Sequence, residues 1–213
     1  MEMASTSVRT RSRRPAADLV AGLLDAAAVE FAAHGFEGAS TRRIAERAGA
    51  HQPQINYHFA SKEQLWRDTV DRLFGHLAAP VADARDGAHV ADAFAAGVRR
   101  FLVVSAAHPE LNRIINQEAT SPSARLRWLV DTHLRPLHEL VHEAWRDVRA
   151  SGAGADLAAD EVWELLTTYG ALRFANAPML ALLGISSGTT AADAAAHAER
   201  VLAVLGLAPG ADG

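Results

Sequence analysis

Apolar residues recur along most of this chain at intervals of three and four, the spacing that lines them up on one face of a helix. Over residues 17–34, Leu19, Leu23, Leu24, Ala27, Ala28 and Phe31 form such a stripe, and Gly35 follows as a C-terminal stop. Residues 41–48 predict a short helix after Ser40 and Thr41, ended by Gly49, and residues 52–58 a second one with Pro53 in its first turn. Ser61 and Gln64 have the spacing of a capping box, opening a helix that runs to about residue 77. Pro80 and the stretch Asp83 to Gly87 read as a loop. Longer helices are expected beyond it, over about 89–106, 110–118, 123–134, 136–150, 157–183 and 190–206. Pro136 should separate two of them, and Pro178 should kink the penultimate one. No stretch alternates as a strand would.

The pattern predicts an all-α fold that changes character near residue 78. Short helices with tight turns come first and long amphipathic ones follow. We expect a basic tail over residues 1–14, a small helical domain over 15–62, and a larger one over 63–208 whose first helix, 63–77, links the two.

Composition narrows the class. Among the 213 residues, 49% are hydrophobic and 22% charged, as in a soluble globular protein. There is no cysteine, so disulfides, thiolate metal sites and a cysteine nucleophile are excluded. The start is polar rather than leader-like, and the apolar stretch from Phe174 to Ile185 is about half the length of a membrane helix. A cytoplasmic protein with no membrane partner is expected. The net charge of −4 does not suggest a nucleic-acid binder, but its distribution does: Arg9, Arg11, Arg13 and Arg14 against Glu2 make a basic arm suited to following phosphates.

The densest information lies between Ser40 and Trp66, in STRRIAERAGAHQPQINYHFASKEQLW. Ile44, Ala45, Ala48, Ile55 and Phe59 are spaced to pack inward. Arg42, Gln52, Gln54 and Asn56 are left outside. Two short helices about a glycine-containing turn, apolar within and polar without, make a helix-turn-helix, whose second helix enters the major groove. Residues 15–70 closely resemble the DNA-binding domain of TetR-type (tetracycline-repressor-like) transcriptional regulators. The matching positions are Phe31, Gly35 and Phe36 at the end of helix 1, then Thr41, Ile44-Ala45, Ala48-Gly49, Ile55, Tyr57, His58-Phe59, Ser61-Lys62-Glu63 and Leu65.

The resemblance implies roles for single residues. Thr41 and Lys62 match phosphate contacts, and Tyr57 and His58 match positions that touch the DNA backbone. Arg42, Gln52, Pro53 and Gln54 match positions that meet bases or the groove, and their chemistry suits base edges. Asn56 replaces the family's usual tyrosine and could read a base or sit at the backbone. Arg43 stands where an acidic residue often completes a capping box, and His51 where Ser or Thr often caps. The resemblance also implies a homodimer reading a palindrome in double-stranded DNA, repression relieved by a small-molecule effector in the C-terminal domain, and neither enzymatic activity nor a cofactor.

Polar heads on otherwise apolar helices mark candidates for the effector pocket: Asn116, Gln117, Trp128, His133, His138, His142, Trp145, Arg173, Phe174 and Asn176. Two late stripes are candidates for the dimer interface, Val162, Leu165, Leu166, Tyr169 and Leu172 on one helix and Ala194, His197, Val201 and Leu205 on the other. One motif points elsewhere. His138-Glu139-Leu140-Val141-His142 has the H-E-x-x-H spacing of a zinc hydrolase, and Glu161 lies where a third ligand could follow. With no strand to hold a substrate, a metal-sensing role for the two histidines is the stronger form of that alternative.

Overall fold

The computed structural model describes residues 16–77, 90–186, 188 and 190–207. The expected basic arm and the expected loop around Pro80 lie outside them. The described residues are helical, with no strand among them.

Helix α1 (Ala16–Gly38) is broken near its end by Gly35, whose φ of 67° and ψ of 176° turn the chain toward α2 (Thr41–Arg47). Ser40 caps α2 by accepting the Arg43 N–H. A tight turn leads to α3 (Gln52–His58), and Ser61 opens α4 (Lys62–Gly75) by accepting the Gln64 N–H at 3.0 Å. Only this half of the expected capping box forms. The Gln64 amide instead donates to Asp68, one turn further on, at 2.6 Å.

The second half begins with α5 (Val90–Ala107) and α6 (Pro109–Glu118). Then α7 (Ala124–Leu129) runs into α8 (Arg135–Ala150) through a π-helical turn, Val130–Leu134, with no break at Pro136. Proline cannot donate to the preceding turn and crowds it, and the widened turn ahead of it absorbs both effects. Next come α9 (Ala159–Glu164), a π-helical stretch Leu165–Leu172, and the short α10 (Arg173–Ala175). The chain breaks at Asn176, so Pro178 sits in the first turn of a new helix, α11 (Ala177–Leu182), rather than in a kink. Last is α12 (Ala191–Val204), capped by Thr190.

Two cores form. In the first, Leu23, Phe31, Ile44, Ile55, Phe59, Leu65, Trp66 and Val70 of α1–α4 pack with Leu111 and Ile114 of α6 and Leu129 of α7. Each fully buried large apolar side chain contributes about 1.5–3 kcal/mol. The linking helix α4 is therefore part of the first core. The second core gathers Phe94, Val98 and Leu102 of α5 with Trp145, Val148, Val162, Leu166, Phe174, Val201, Leu202 and Leu205.

The second core corrects the expected dimer stripes. Val162, Leu166, Ala194, His197, Val201 and Leu205 are all buried within one chain, because α12 lays its apolar face on α5. Leu165 and Leu172 are half-buried, and of the two stripes only Tyr169 is exposed. The Arg99 guanidinium on α5 ties the same pair of helices by donating to both Glu199 carboxylate oxygens, at 2.6 and 3.1 Å.

Candidate nucleic-acid interface

Helix α3 has one anchored side and one open side. Ile55 and, just beyond the helix, Phe59 are buried in the first core. Gln52, Pro53, Asn56 and Tyr57 face outward, and Tyr57 is 84% exposed with its ring edge-on to His58 at 4.9 Å. Gln54 is half-buried and already engaged: its carbonyl oxygen accepts the His51 N–H at 2.9 Å, which closes the start of α3. Only its amide N–H groups are left to meet a base, so it cannot also offer the acceptor that adenine's edge needs.

The remaining candidate contacts flank this helix. Thr41 is half-buried in the first turn of α2, where its backbone N–H is one of the helix-start donors. Arg42 is exposed and steered by Glu46, one turn on, at 2.9 Å. Lys62 lies over the Phe36 ring at 5.0 Å and donates to the Glu37 carbonyl at 3.1 Å, which holds its charge beside the end of α1.

What aligns α2 on α1 is a residue that the sequence does not advertise. Glu30 is only 1% exposed and sits in the core-facing part of α1. Its Oε1 accepts the Ser40 N–H at 2.9 Å and the Arg43 Nε–H at 2.6 Å. Burial pushes this carboxyl upward, but the Arg43 hydrogen bond and charge and the Ser40 N–H together hold it below the usual carboxylate range. Arg43, the departure from the acidic capping pattern, is thus the partner of a buried carboxylate. Its Nη2 also donates to the Gly38 carbonyl.

The candidate pocket residues do not gather around one cavity. Trp128 packs edge-on to Trp66 at 5.5 Å, and His133 stacks on Phe74 at 4.3 Å while meeting Asp71 at 2.7 Å, so both belong to the seam between α4 and the α7–α8 rod. Gln117 donates to the Ala32 carbonyl of α1 at 2.9 Å, and Asn116 is exposed and bonds back to Asn112. Trp145 and Phe174 are buried in the second core, where the indole N–H donates to the Leu157 carbonyl. Asn176 is an exposed helix junction. Arg173 donates to His197 Nδ1 at 3.0 Å and to the Ser186 carbonyl. With Nδ1 accepting, His197 carries its proton on Nε2, next to the Tyr169 and Gly170 carbonyls. Burial, and then the Arg173 charge, push this histidine below its ordinary value, while those carbonyls pull the other way. Each polar head satisfies an internal partner, as burial demands.

A cleft of about 230 Å³ does lie between the end of α1 and the α6–α7 corner. Phe36, Glu37, Gln117, Glu118, Ser123 and Arg125 line part of it. The Arg125 guanidinium lies 3.8 Å above the Phe36 ring and pairs with Glu118 at 3.1 Å and Glu37 at 3.6 Å. The same Phe36 ring carries Lys62. Of the sequence candidates only Gln117 lines this cleft. The others here are ordinary surface types, and only their meeting across more than 80 positions gives them a role.

The HELVH stretch forms two exposed turns of α8. His138 and His142 meet Asp160 Oδ1 at 3.3 and 2.9 Å. The expected third residue, Glu161, is elsewhere: its carboxylate caps α9 by accepting the Ala158 N–H at 2.7 Å. Among the described residues no strand flanks the motif, so the substrate-aligning edge of a zinc hydrolase is missing from them.

Residues 23–68 match the family model of bacterial regulatory proteins, tetR family. The chain carries the amino-terminal domain of the TetR family. Among curated proteins, this TetR-family chain is 33% identical over 128 residues to the HTH-type transcriptional repressor AcnR of Corynebacterium diphtheriae, covering 57% of this chain and 60% of that protein. It is 33% identical over 95 residues to the HTH-type transcriptional repressor SCO4008 of Streptomyces coelicolor, covering 45% and 46%. The matches thus span less than two thirds of either relative. Its fold is similar to that of a linker-substituted HlyIIR, with a TM-score of 0.72 at 17% identity over 90% of this chain and 99% of the other. Among the described residues, no helix is long and apolar enough to cross a membrane.

Proposed function

We propose that this TetR-family protein is a transcriptional regulator of the repressor kind, not an enzyme. It works in the cytoplasm as a homodimer on a palindromic site in double-stranded DNA. The observation that carries the reading is Tyr57, a large aromatic ring 84% exposed on a helix whose other side is locked into the core. Folding gains nothing from leaving it there, whereas a phosphate backbone or base edge would use both its ring and its hydroxyl. The relatives described as repressors support the sign of control.

An α3 of seven residues reads only a few base pairs, so a second copy is needed for specificity. The partner surface we favour is the exposed apolar end of the chain, Tyr169, Met179, Leu182 and Leu183, which no neighbour covers within one chain. The effector acts through the Phe36–Arg125–Gln117 seam, because that seam joins the C-terminal helices to the helix that holds α2 and α3 in place. An effector that favours one arrangement of the seam shifts the pair of reading heads between DNA-competent and incompetent spacings.

The test is fluorescence anisotropy on duplexes selected from a randomised pool. Wild-type protein is expected to select a palindrome and to bind it with a steep dependence on salt. Lys62→Ala should weaken all sequences alike and reduce the salt slope by about 0.9 per chain. Tyr57→Phe should weaken binding roughly 5–15-fold, the value of one hydrogen bond to a charged group. Failure to enrich any sequence, or both variants binding like wild type, would refute the assignment.

A further inference from the structure

The search for unassigned chemistry returns to α8. His138 and His142 occupy successive turns on one face, and their Nε2 atoms converge on one carboxylate oxygen of Asp160, at 3.3 and 2.9 Å. One ligand atom from each of the three residues lies within 4.8 Å of the others. A tetrahedral zinc ion with bonds of about 2.0–2.1 Å keeps its ligand atoms about 3.3 Å apart, so the three donors need only small adjustments to surround one.

A second observation concerns His142 alone. Its Nε2 is screened from solvent yet makes no hydrogen bond, because its close approach to Asp160 is out of line for one. An imidazole nitrogen left in that state is unusual, and a cation between it and the carboxylate removes the anomaly. The surroundings also hold the ligands in place. Trp163 sets its ring edge-on to His138 at 5.2 Å, the two imidazoles lie 4.0 Å apart, and the Glu161 cap fixes the first turn of α9, which carries Asp160. The donor set is two nitrogens and one oxygen, which suits a borderline divalent transition ion and not the all-oxygen preference of magnesium.

We propose that His138, His142 and Asp160 form a binding site for a divalent transition-metal ion of the zinc class, which ties the middle of α8 to the first turn of α9. Asp160 is open to solvent, so water completes the coordination. The site is independent of the DNA-reading helices, and its test does not use DNA.

Tag-free full-length protein, stripped with a chelator, is titrated with zinc chloride and with magnesium chloride by calorimetry, and melted with and without each metal. The expected result is one zinc per chain, a higher melting temperature with zinc, and no saturable magnesium binding. His142→Ala and Asp160→Asn should each weaken zinc by more than the ~10–100-fold that outer-shell partners contribute, while melting like wild type in chelator. Glu161→Gln should bind zinc like wild type, because Glu161 only caps the helix. Zinc binding that survives His142→Ala, equal affinity for magnesium, or no saturable zinc binding would each overturn the proposal.

Discussion

If Arg43 is a structural strut for the reading head, its effect should vanish when Glu30 is gone. Glu30 is almost wholly buried and Arg43 half-exposed, and their closest atoms are 2.6 Å apart. Breaking a fully buried ion pair costs about 3–5 kcal/mol. Here one partner reaches water, so screening reduces the coupling to about 1–2 kcal/mol. Arg43→Ala also leaves a buried carboxylate with only the Ser40 N–H and a distant His34 nearby, giving a total loss of about 1.5–3 kcal/mol. At this chain length each kcal/mol lowers the melting temperature by about 2–4 °C. The assay is urea denaturation of wild type, Glu30→Ala, Arg43→Ala and the double variant at one fixed chain concentration, analysed as a double-mutant cycle. A coupling under about 0.3 kcal/mol would refute the strut. So would an Arg43→Ala protein that melts like wild type but no longer binds DNA, since Arg43 would then be a DNA contact.

Two further outcomes are expected. Gly154→Ala should lose about 2–4 kcal/mol in the same denaturation assay, because the added methyl would stand 2.6 Å from the Trp145 ring at a φ of +77° that alanine avoids. Stability measured against pH should be flat above about 6.5 and fall as the pH drops below it. His76 and His197 are both depressed, so the unfolded chain takes up protons that the folded one resists. His197→Asn, which can still accept from Arg173, should flatten part of that fall.

Much of the architecture was legible from spacing alone. The limits of α2 and α3 follow from Ser40, Gly49 and Pro53, because caps and breakers act within a few residues. The two prolines of the C-terminal half were harder. Pro136 is absorbed by a π turn and Pro178 by a break at Asn176, and which happens depends on packing that local sequence does not encode. The open face of α3 was readable because Ile55 and Phe59 fix its orientation. The pocket candidates were not, since a polar head on an apolar helix looks the same whether it meets a ligand or a carbonyl. The late stripes failed similarly: periodicity shows that a face is covered, not whether the cover is the same chain. Asp160 in place of Glu161 beside HELVH was beyond reach, because both residues lie on one turn and only the capping bond tells them apart.

The first core also limits how this molecule can be taken apart. Leu111, Ile114 and Leu129 complete the packing around α1 and α4, and Trp128 covers Trp66. A chimera that joins residues 1–77 to another regulator's body would leave Trp66 bare unless the new body supplies an equivalent wall. The transplantable unit of specificity is therefore the reading head together with the face of α6 and α7 that it rests on.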